Sequence, residues 1–324
     1  MQDNIQKGFT LIELMLSLVL GLIIMGAVIQ VYFISVRTAA VQQAGSSVLD
    51  ANVFGLQAIE GNIRMAGLGL SDVTKGNTSD SGVIVGNNAA VVMNGITPFD
   101  NTLISRDGAG PAHTQAGATN RGSDQLTIQY RAPTNMQDCE GNLALGPRRG
   151  IIDDDGSEET PIDGQIIIER YFVVDNNGTL ELRCDAGRYV NENIIVDNQA
   201  ASTNADIRAA TTDLVNRANI IKDFNDNGVL VISGIDDFQI RYGVANGDGI
   251  RYVTPTQYNA TLGSAVVAVQ VGILTRGSVP TNQAPESPTY NILGEDVTMA
   301  TGQGQYIRRV YESNIMLRNS RERS

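Results

Sequence analysis

The sequence predicts an α+β protein in which a long N-terminal helix, first membrane-spanning and then amphipathic, packs on an antiparallel β-sheet domain. Residues 14–36 contain no charged side chain and are almost entirely apolar. Apolar residues then recur at three- and four-residue spacing up to about residue 65, which is the pattern of an amphipathic helix. Beyond Leu70, short segments alternate apolar and polar side chains between turn residues, as the strands of a half-buried sheet do.

A short polar leader, residues 1–8, precedes the apolar run. A secretory signal peptide needs its own apolar region ahead of the cleavage site, and this leader has none. A cut after Gly8 would therefore leave the apolar run on the mature chain. Phe9 would become the first residue of that chain and Glu13 the fifth.

Residues 9–36 are the predicted membrane-spanning half of the helix. The uncharged run 14–36 would reach about 34 Å at about 1.5 Å per residue, enough to cross a bilayer core of about 30 Å. Lys7 lies just before the span and favours a cytoplasmic N-terminus, although Arg37 beyond it weakens the asymmetry. We therefore expect everything after Arg37 to lie outside the cytoplasm.

The outer half of the helix is predicted over residues 37–69. Val41, Ala44 and Val48 begin an apolar stripe that continues to Ile63, and polar side chains fill much of the other face. The Gly-Leu-Gly sequence at 67–69 is a stop signal. Such a helix is suited to packing one face on a sheet.

Residues 70–324 form the predicted β-rich domain. Strands are expected at 125–130, 165–174, 179–183, 229–233, 235–244, 265–274 and 306–317. The Asp-Asn-Asn-Gly sequence at 175–178 predicts a hairpin turn. Residues 205–218 read as partly helical.

Composition excludes several classes of function. A formal net charge of −12 argues against a broad nucleic-acid surface, which needs clustered basic residues. One histidine and two cysteines exclude zinc sites built from several such ligands. No G-x-S-x-G nucleophile elbow is present. We therefore expect no catalytic residues, no enzyme activity and no nucleic-acid partner.

The two cysteines, Cys139 and Cys184, are expected to form a disulfide if the domain lies outside the cytoplasm. The lone histidine, His113, is expected in an exposed loop, because it stands among Gly, Ala and Thr. Arg308 and Arg309 are interpreted as ordinary edge-strand charges.

The segment 223–228 has the sequence D-F-N-D-N-G, the first half of a calcium loop. It is either a polar turn before the strand at 229 or a calcium site with Asp223, Asn225 and Asn227 as oxygen ligands. The twelfth position is Gly234 rather than Glu, so the EF-hand pattern fails. Asp236 and Asp237 would have to substitute. Calcium is the one candidate cofactor.

The segment 8–13, Gly-Phe-Thr-Leu-Ile-Glu, resembles the cleavage signal of type IV prepilins and pseudopilins, whose core stands unaltered here. The resemblance implies cleavage by prepilin peptidase after Gly8 and N-methylation of Phe9. It also implies that Glu13 pairs with the amino group of Phe9 on a neighbouring subunit. Two charges that each resist burial neutralise one another when helices pack in a low-dielectric bundle.

Five later stretches resemble the PilW-type minor pilins; they lie at 62–67, 234–243, 266–276, 308–311 and 317–319. The resemblance implies a minor pilin that primes type IV pilus assembly and supports adhesion and twitching motility. Its implied partners are other minor pilins, the major pilin, a large tip adhesin and the inner-membrane assembly platform. The implied location is the inner membrane with a periplasmic domain before assembly, and the pilus tip or cell surface afterwards.

Two alternatives stay open at this point. A minor pseudopilin of a type II secretion system would share the N-terminal signal and the helix-plus-sheet design. A membrane-anchored adhesin or ligand-binding protein would keep its leader intact and show no filament defect when deleted.

Overall fold

The computed structural model describes residues 10–50, 55–70, 81–85, 100, 102–114, 122–151, 159–189, 221–247, 249–261, 265–281, 288–303 and 305–318. Its helices are α1 (Leu11–Asp50), α2 (Leu56–Met65) and α3 (Pro255–Thr261). Residues 51–54 lie outside the described residues, so the expectation of one uninterrupted helix stays a prediction. The predicted helical stretch 205–218 also lies outside them.

The β-domain is built almost entirely from antiparallel strands. The strands are β1 (Arg106–Gly110), β2 (Ser123–Arg131), β3 (Met136–Gln137), β4 (Leu143–Ala144), β5 (Arg148–Ile151), β6 (Glu159–Ile162), β7 (Ile166–Asn176), β8 (Thr179–Tyr189), β9 (Val229–Ser233), β10 (Ile235–Asn246), β11 (Gly249–Val253), β12 (Val266–Pro280), β13 (Thr289–Ile292), β14 (Glu295–Thr298) and β15 (Tyr306–Met316).

Two larger sheets organise these strands. Sheet 1 has the order β1-β2-β7-β8-β9, and sheet 2 has the order β11-β10-β12-β15. The pairs β3–β4, β5–β6 and β13–β14 form small ribbons. Every neighbouring pair in the two sheets is antiparallel. The predicted fold class, a long N-terminal helix packed on antiparallel sheet, is therefore confirmed.

Each strand predicted from alternation is present. β9 begins and ends at the predicted residues, whereas β8 and β12 run on to Tyr189 and Pro280. β1 and β11 were not predicted, because Arg-Asp-Gly-Ala-Gly and Gly-Ile-Arg-Tyr-Val show no clear alternation. These two segments are extended because they pair with β2 and β10, which cannot be seen from their own sequences.

The hairpin between β7 and β8 has the predicted turn. Asn176 pairs with Thr179, and the two residues between them, Asn177 and Gly178, have φ of 54° and 83°. Positive φ at both central positions is the signature of a type I′ turn, which Asn-Gly favours. The Asp175 carboxylate adds a hydrogen bond by accepting from the Gly178 N–H at 2.7 Å.

The outer part of α1 docks on β12. Side chains of α1 are exposed through residue 39, whereas Ala44 is fully buried. Gly277 of β12 permits this approach, because a Cβ added there would lie 2.8 Å from the Ala44 Cβ. The Ser278 N–H also donates to the Ser47 hydroxyl oxygen at 3.2 Å. The buried face of the helix is the stripe predicted from its spacing.

The main core lies between α2 and the inner faces of the two sheets. Leu56, Ile59 and Ile63 of α2 are each at most 1% exposed and pack with buried residues of β2, β7, β8, β10 and β12. The chain turns at Gly67, whose φ is 80° and whose N–H donates to the Gln129 carbonyl of β2. The end of the helix is thus joined directly to sheet 1.

Candidate functional site

The first described residues form a helix cap at the start of α1. The Thr10 N–H and hydroxyl both donate to the Glu13 carboxylate at 3.2 Å, and the Glu13 N–H donates to the Thr10 hydroxyl oxygen at 3.3 Å. This reciprocal arrangement is a capping box. The sequence signal for it, Thr-x-x-Glu before an apolar run, was missed in the sequence analysis. Glu13 therefore caps its own helix in the single chain.

The processing residues predicted from the sequence, Gly8 and Phe9, lie outside the described residues. Cleavage after Gly8, methylation of Phe9 and pairing of Glu13 with a neighbouring N-terminus stay predictions.

The inner half of α1 is a continuous exposed apolar surface. Every large apolar side chain between Leu11 and Val36 is 45–79% exposed. The helix is long and apolar enough to cross a membrane. Exposed apolar patches of this extent mark a surface that meets lipid or another protein. This surface is the principal candidate functional site of the chain.

The predicted disulfide between Cys139 and Cys184 is present. It joins the loop after β3 to β8, across a separation of 45 residues. Cys184 is fully buried in the main core. The bond therefore fixes the loop that carries Cys139 against the sheet.

A buried glutamate lies beside this disulfide and was missed in the sequence analysis. Glu169 of β7 is fully buried. Its Oε1 accepts from the Asn62 side chain of α2 at 3.2 Å, from the Tyr130 hydroxyl at 3.0 Å and from the Cys139 N–H at 3.1 Å. Its Oε2 accepts from the Tyr171 hydroxyl at 2.7 Å. The network joins α2, β2, β7 and the disulfide loop.

Burial raises the pKa of Glu169 to about 7, although the hydrogen bonds from Tyr171, Tyr130 and the Cys139 N–H act to lower it. None of the contacts that the structure describes for this carboxyl group comes from a basic side chain. The two cysteines beside it are joined to each other, so the three residues do not form a metal site.

A cavity of about 320 Å³ opens next to this network, between α2 and the edge strand β9. The residues that line it are Gly55 just before α2, Ile59 and Asn62 of α2, Cys139, Tyr171 of β7, and Val229, Leu230 and Val231 of β9. Its walls are mostly apolar, and its polar end is the Asn62–Tyr171 side of the Glu169 network.

The three predicted calcium ligands are each engaged with residues of β8. The Asp223 carboxylate pairs with Arg188 at 2.9 Å, and the Asn225 N–H donates to Asp185 at 3.2 Å. The Asn227 carbonyl accepts from Arg183 at 3.1 Å. Calcium binding by Asp223, Asn225 and Asn227 stays a prediction, and no cofactor is indicated.

Asp226 of this loop lies close to two other carboxylates, those of Glu140 and Asp185. Asp185 also pairs with Arg170 at 2.6 Å. Burial, followed by the nearby Asp226, Asp185 and Asp138, raises the pKa of Glu140 to about 7.

Asp236 and Asp237 do not complete the calcium loop as the sequence analysis required. The Asp236 carboxylate accepts from Arg308 and lies 2.8 Å from the His113 Nδ1. The Asp237 carboxylate accepts from the Ser123 hydroxyl and from the Phe238 N–H. Both acids are buried, and their carboxylates are bound by other residues of the β-domain.

The exposed-loop interpretation of His113 and the edge-charge interpretation of Arg308 are therefore wrong. The His113 side chain is 16% exposed, and the Arg308 side chain is fully buried although β15 is an edge strand. Arg276 adds a second cation 3.7 Å from the Asp236 carboxylate. The cause is tertiary pairing: these residues lie far apart in the chain and meet where β10, β12 and β15 begin or end.

Comparison with known families gives two matches. Residues 195–319 match the family model described as Type IV Pilus-assembly protein W. Residues 3–29 match the prokaryotic N-terminal methylation motif. The second match covers the exposed apolar half of α1 as far as residue 29, and the first covers the region that includes sheet 2. The first of these families consists of pilus-assembly proteins and is not a family of enzymes.

Comparison with solved structures finds similarity to a type IV-like pilin from Thermus thermophilus. The two share 12% identity, and the alignment covers 85% of this chain and 98% of that one. The TM-score is 0.38. No curated protein matches the chain.

Proposed function

We propose that this chain, a type IV pilin-like protein with a PilW region and a prepilin N-methylation motif, is a minor pilin that helps to prime type IV pilus assembly. The observation that carries the proposal is the split character of α1. Its inner half exposes every large apolar side chain, whereas its outer half buries one face, at Ala44 and Val48. A helix of this kind anchors the subunit in lipid first and in a bundle of neighbouring helices later.

Processing precedes assembly in this proposal. Prepilin peptidase cleaves after Gly8, and Phe9 becomes the methylated N-terminus. The new amino group stands four residues before Glu13 in the sequence, and Glu13 already accepts hydrogen bonds from Thr10 at the exposed end of α1. On assembly, the Glu13 carboxylate pairs with the Phe9 amine of a neighbouring subunit. Each charge then offsets the cost of burying the other.

The proposed partners are other minor pilins, the major pilin and the inner-membrane assembly platform, with a large tip adhesin at the end of the filament. The β-domain lies in the periplasm before assembly and at the pilus tip or cell surface afterwards. The match to a pilus-assembly family supports a pilus over a type II secretion pseudopilus.

A substitution at Glu13 tests the assembly step. We expect Glu13→Val to leave cleavage intact but to remove the chain from sheared filaments and to reduce surface piliation, because the neighbour's amine loses its buried counter-charge. Filament number is counted by electron microscopy in a deletion strain complemented with each variant.

Glu13→Asp is the matched control, since it keeps the charge and a capping carboxylate. It should retain most of the piliation. Normal piliation with Glu13→Val would contradict the pairing role.

A further inference from the structure

The α2–β9 cavity is an apolar recess with an exposed apolar rim. β9 is the last strand of sheet 1. Its residues Val229 and Leu230 are 37% and 53% exposed and line the cavity of about 320 Å³. A volume at the low end of the range for ligand pockets suits a single bulky side chain rather than a cofactor.

The polar end of the cavity offers a hydrogen-bond acceptor. The Asn62 amide NH₂ donates to Glu169 and to the Tyr171 hydroxyl, each at 3.2 Å. No hydrogen bond among the described residues uses the Asn62 side-chain oxygen, which leaves it as an acceptor.

The group next to this acceptor is the Glu169 carboxyl, which is either negatively charged or neutral. Glu169 is buried there, and its described contacts include no basic side chain. The electrostatic complement of such an end is an N–H or O–H donor. A carboxylate or phosphate would be repelled.

We propose that this cavity receives an aromatic side chain bearing a hydrogen-bond donor, tryptophan or tyrosine, from a neighbouring pilin subunit. The inference rests on the proposed function for the identity of the partner. An indole or phenol ring fills the apolar part, and its donor reaches the Asn62 oxygen. Tryptophan and tyrosine are the residues that most often anchor interfaces in desolvated pockets of this kind. Val229 and Leu230 then form the rim that excludes water.

Methyl NMR on the full chain in detergent tests the chemistry of the cavity. Indole is the probe, and the labelled methyl groups of Ile59 and Val231 are the reporters. We expect saturable shifts at these two residues and none at Ile250, which lies on β11 of sheet 2 and is 39% exposed. N-methylindole, which has the same ring system without the donor, should bind about tenfold more weakly, as expected for the loss of one hydrogen bond.

Two variants distinguish binding of indole in the cavity from general partitioning of indole into the micelle. Val231→Phe should fill the cavity and abolish the shift at Ile59, whereas Ile250→Phe is the matched control and should leave it unchanged. Absence of a localised shift, or equal binding of indole and N-methylindole, would overturn the proposal.

Crosslinking in piliated cells tests the partner. A photoreactive amino acid at Leu230 should crosslink to a tryptophan- or tyrosine-containing peptide of another pilin. The same group at Ile250 should not. If Leu230 gives no pilin crosslink in cells whose filaments contain the processed chain, the proposed occupant is wrong. The NMR result does not depend on filaments, so failure of the assembly role and failure of the cavity are distinguishable.

Discussion

At the scale of single residues, two buried carboxylates are held in opposite ways. Asp236 is surrounded by Arg308, Arg276 and His113, so its charge is compensated inside the fold. Glu169 is held by hydroxyl, amide and backbone donors alone among the described residues, and burial raises its pKa to about 7. Protonation of Glu169 is therefore linked to the stability of the junction between α2 and sheet 1.

The direction of that linkage follows from the raised pKa. Between the ordinary value of 4.5 and about 7, the folded chain holds a proton on Glu169 that the unfolded chain has lost. Its contribution to the free energy of unfolding is full below that window and is lost as the pH rises through it. We expect Glu169→Gln, which cannot titrate, to flatten the fall of the melting temperature across the window. The underlying effect is on the order of 3 kcal/mol.

The measurement is thermal unfolding of the full chain at several pH values. Glu312→Gln, at an exposed residue of β15, is the control and should keep the wild-type pH profile. Parallel profiles for wild type and Glu169→Gln would contradict the assignment. Glu140 and Asp237 titrate in the same range, so the difference between variants is the informative quantity.

Residue-level prediction from the sequence succeeded where the signal was local. The pairing of Cys139 with Cys184 is the residue-level prediction that the structure confirms, and it needed only the cysteine count and the expected compartment. The assembly role of Glu13 stays a prediction. His113 was misplaced because its side-chain partners Asp236 and Arg276 lie more than 100 positions away in the chain. Glu169 has one local signal in the sequence, because it is an acidic residue within the largely apolar segment Ile-Ile-Ile-Glu-Arg-Tyr-Phe. Its partners are not visible from that run.

At the scale of elements, the docking of α1 on β12 separates the buried half of the helix from the exposed half. Gly277 and Ala44 set the distance between them, since a Cβ at Gly277 would lie 2.8 Å from the Ala44 Cβ. We expect Gly277→Ala to lower the free energy of unfolding of the β-domain by about 1–3 kcal/mol through overpacking. Denaturant unfolding of the full chain measures this.

A double-mutant cycle with Ala44→Gly tests whether the effect is this contact. The second change removes the opposing Cβ, so the pair should cost less than the sum of its parts. Gly45→Ala is the control, because a Cβ at that neighbouring glycine meets nothing within 4 Å. It should leave stability unchanged or raise it. Strict additivity of the two changes would exclude the contact as the cause.

Element positions were predictable where one periodicity ran unbroken. The stripe of α1 and the alternation of β10 and β12 each specify a face, and those faces are buried as expected. The ends of β8 and β12 were not predictable, since their extensions pair with β9, Lys222 and β15. The sequence of β1 shows no alternation of apolar and polar residues, and this strand is defined by its pairing with β2.

At the scale of the whole molecule, the apolar residues fall into two groups, one buried in the core of the β-domain and one exposed on the inner half of α1. The core of the β-domain includes side chains of α2, and Ala44 and Val48 near the outer end of α1 are buried, whereas the apolar side chains from Leu11 to Val36 are exposed. The proposed passage from membrane to filament needs this combination of a folded β-domain and a helix with an exposed apolar half. The N-terminal signal predicts this division, but the charge networks that hold the domain together required the structure.

The mass of the N-terminal peptide, from protein extracted from membranes of cells with active prepilin peptidase, tests the central claim most directly. If the chain is processed as a prepilin, the peptide starts at Phe9 and carries one N-methyl group. A peptide that keeps residues 1–8 in such cells would contradict it, and the chain would then be an anchored domain rather than a pilin subunit.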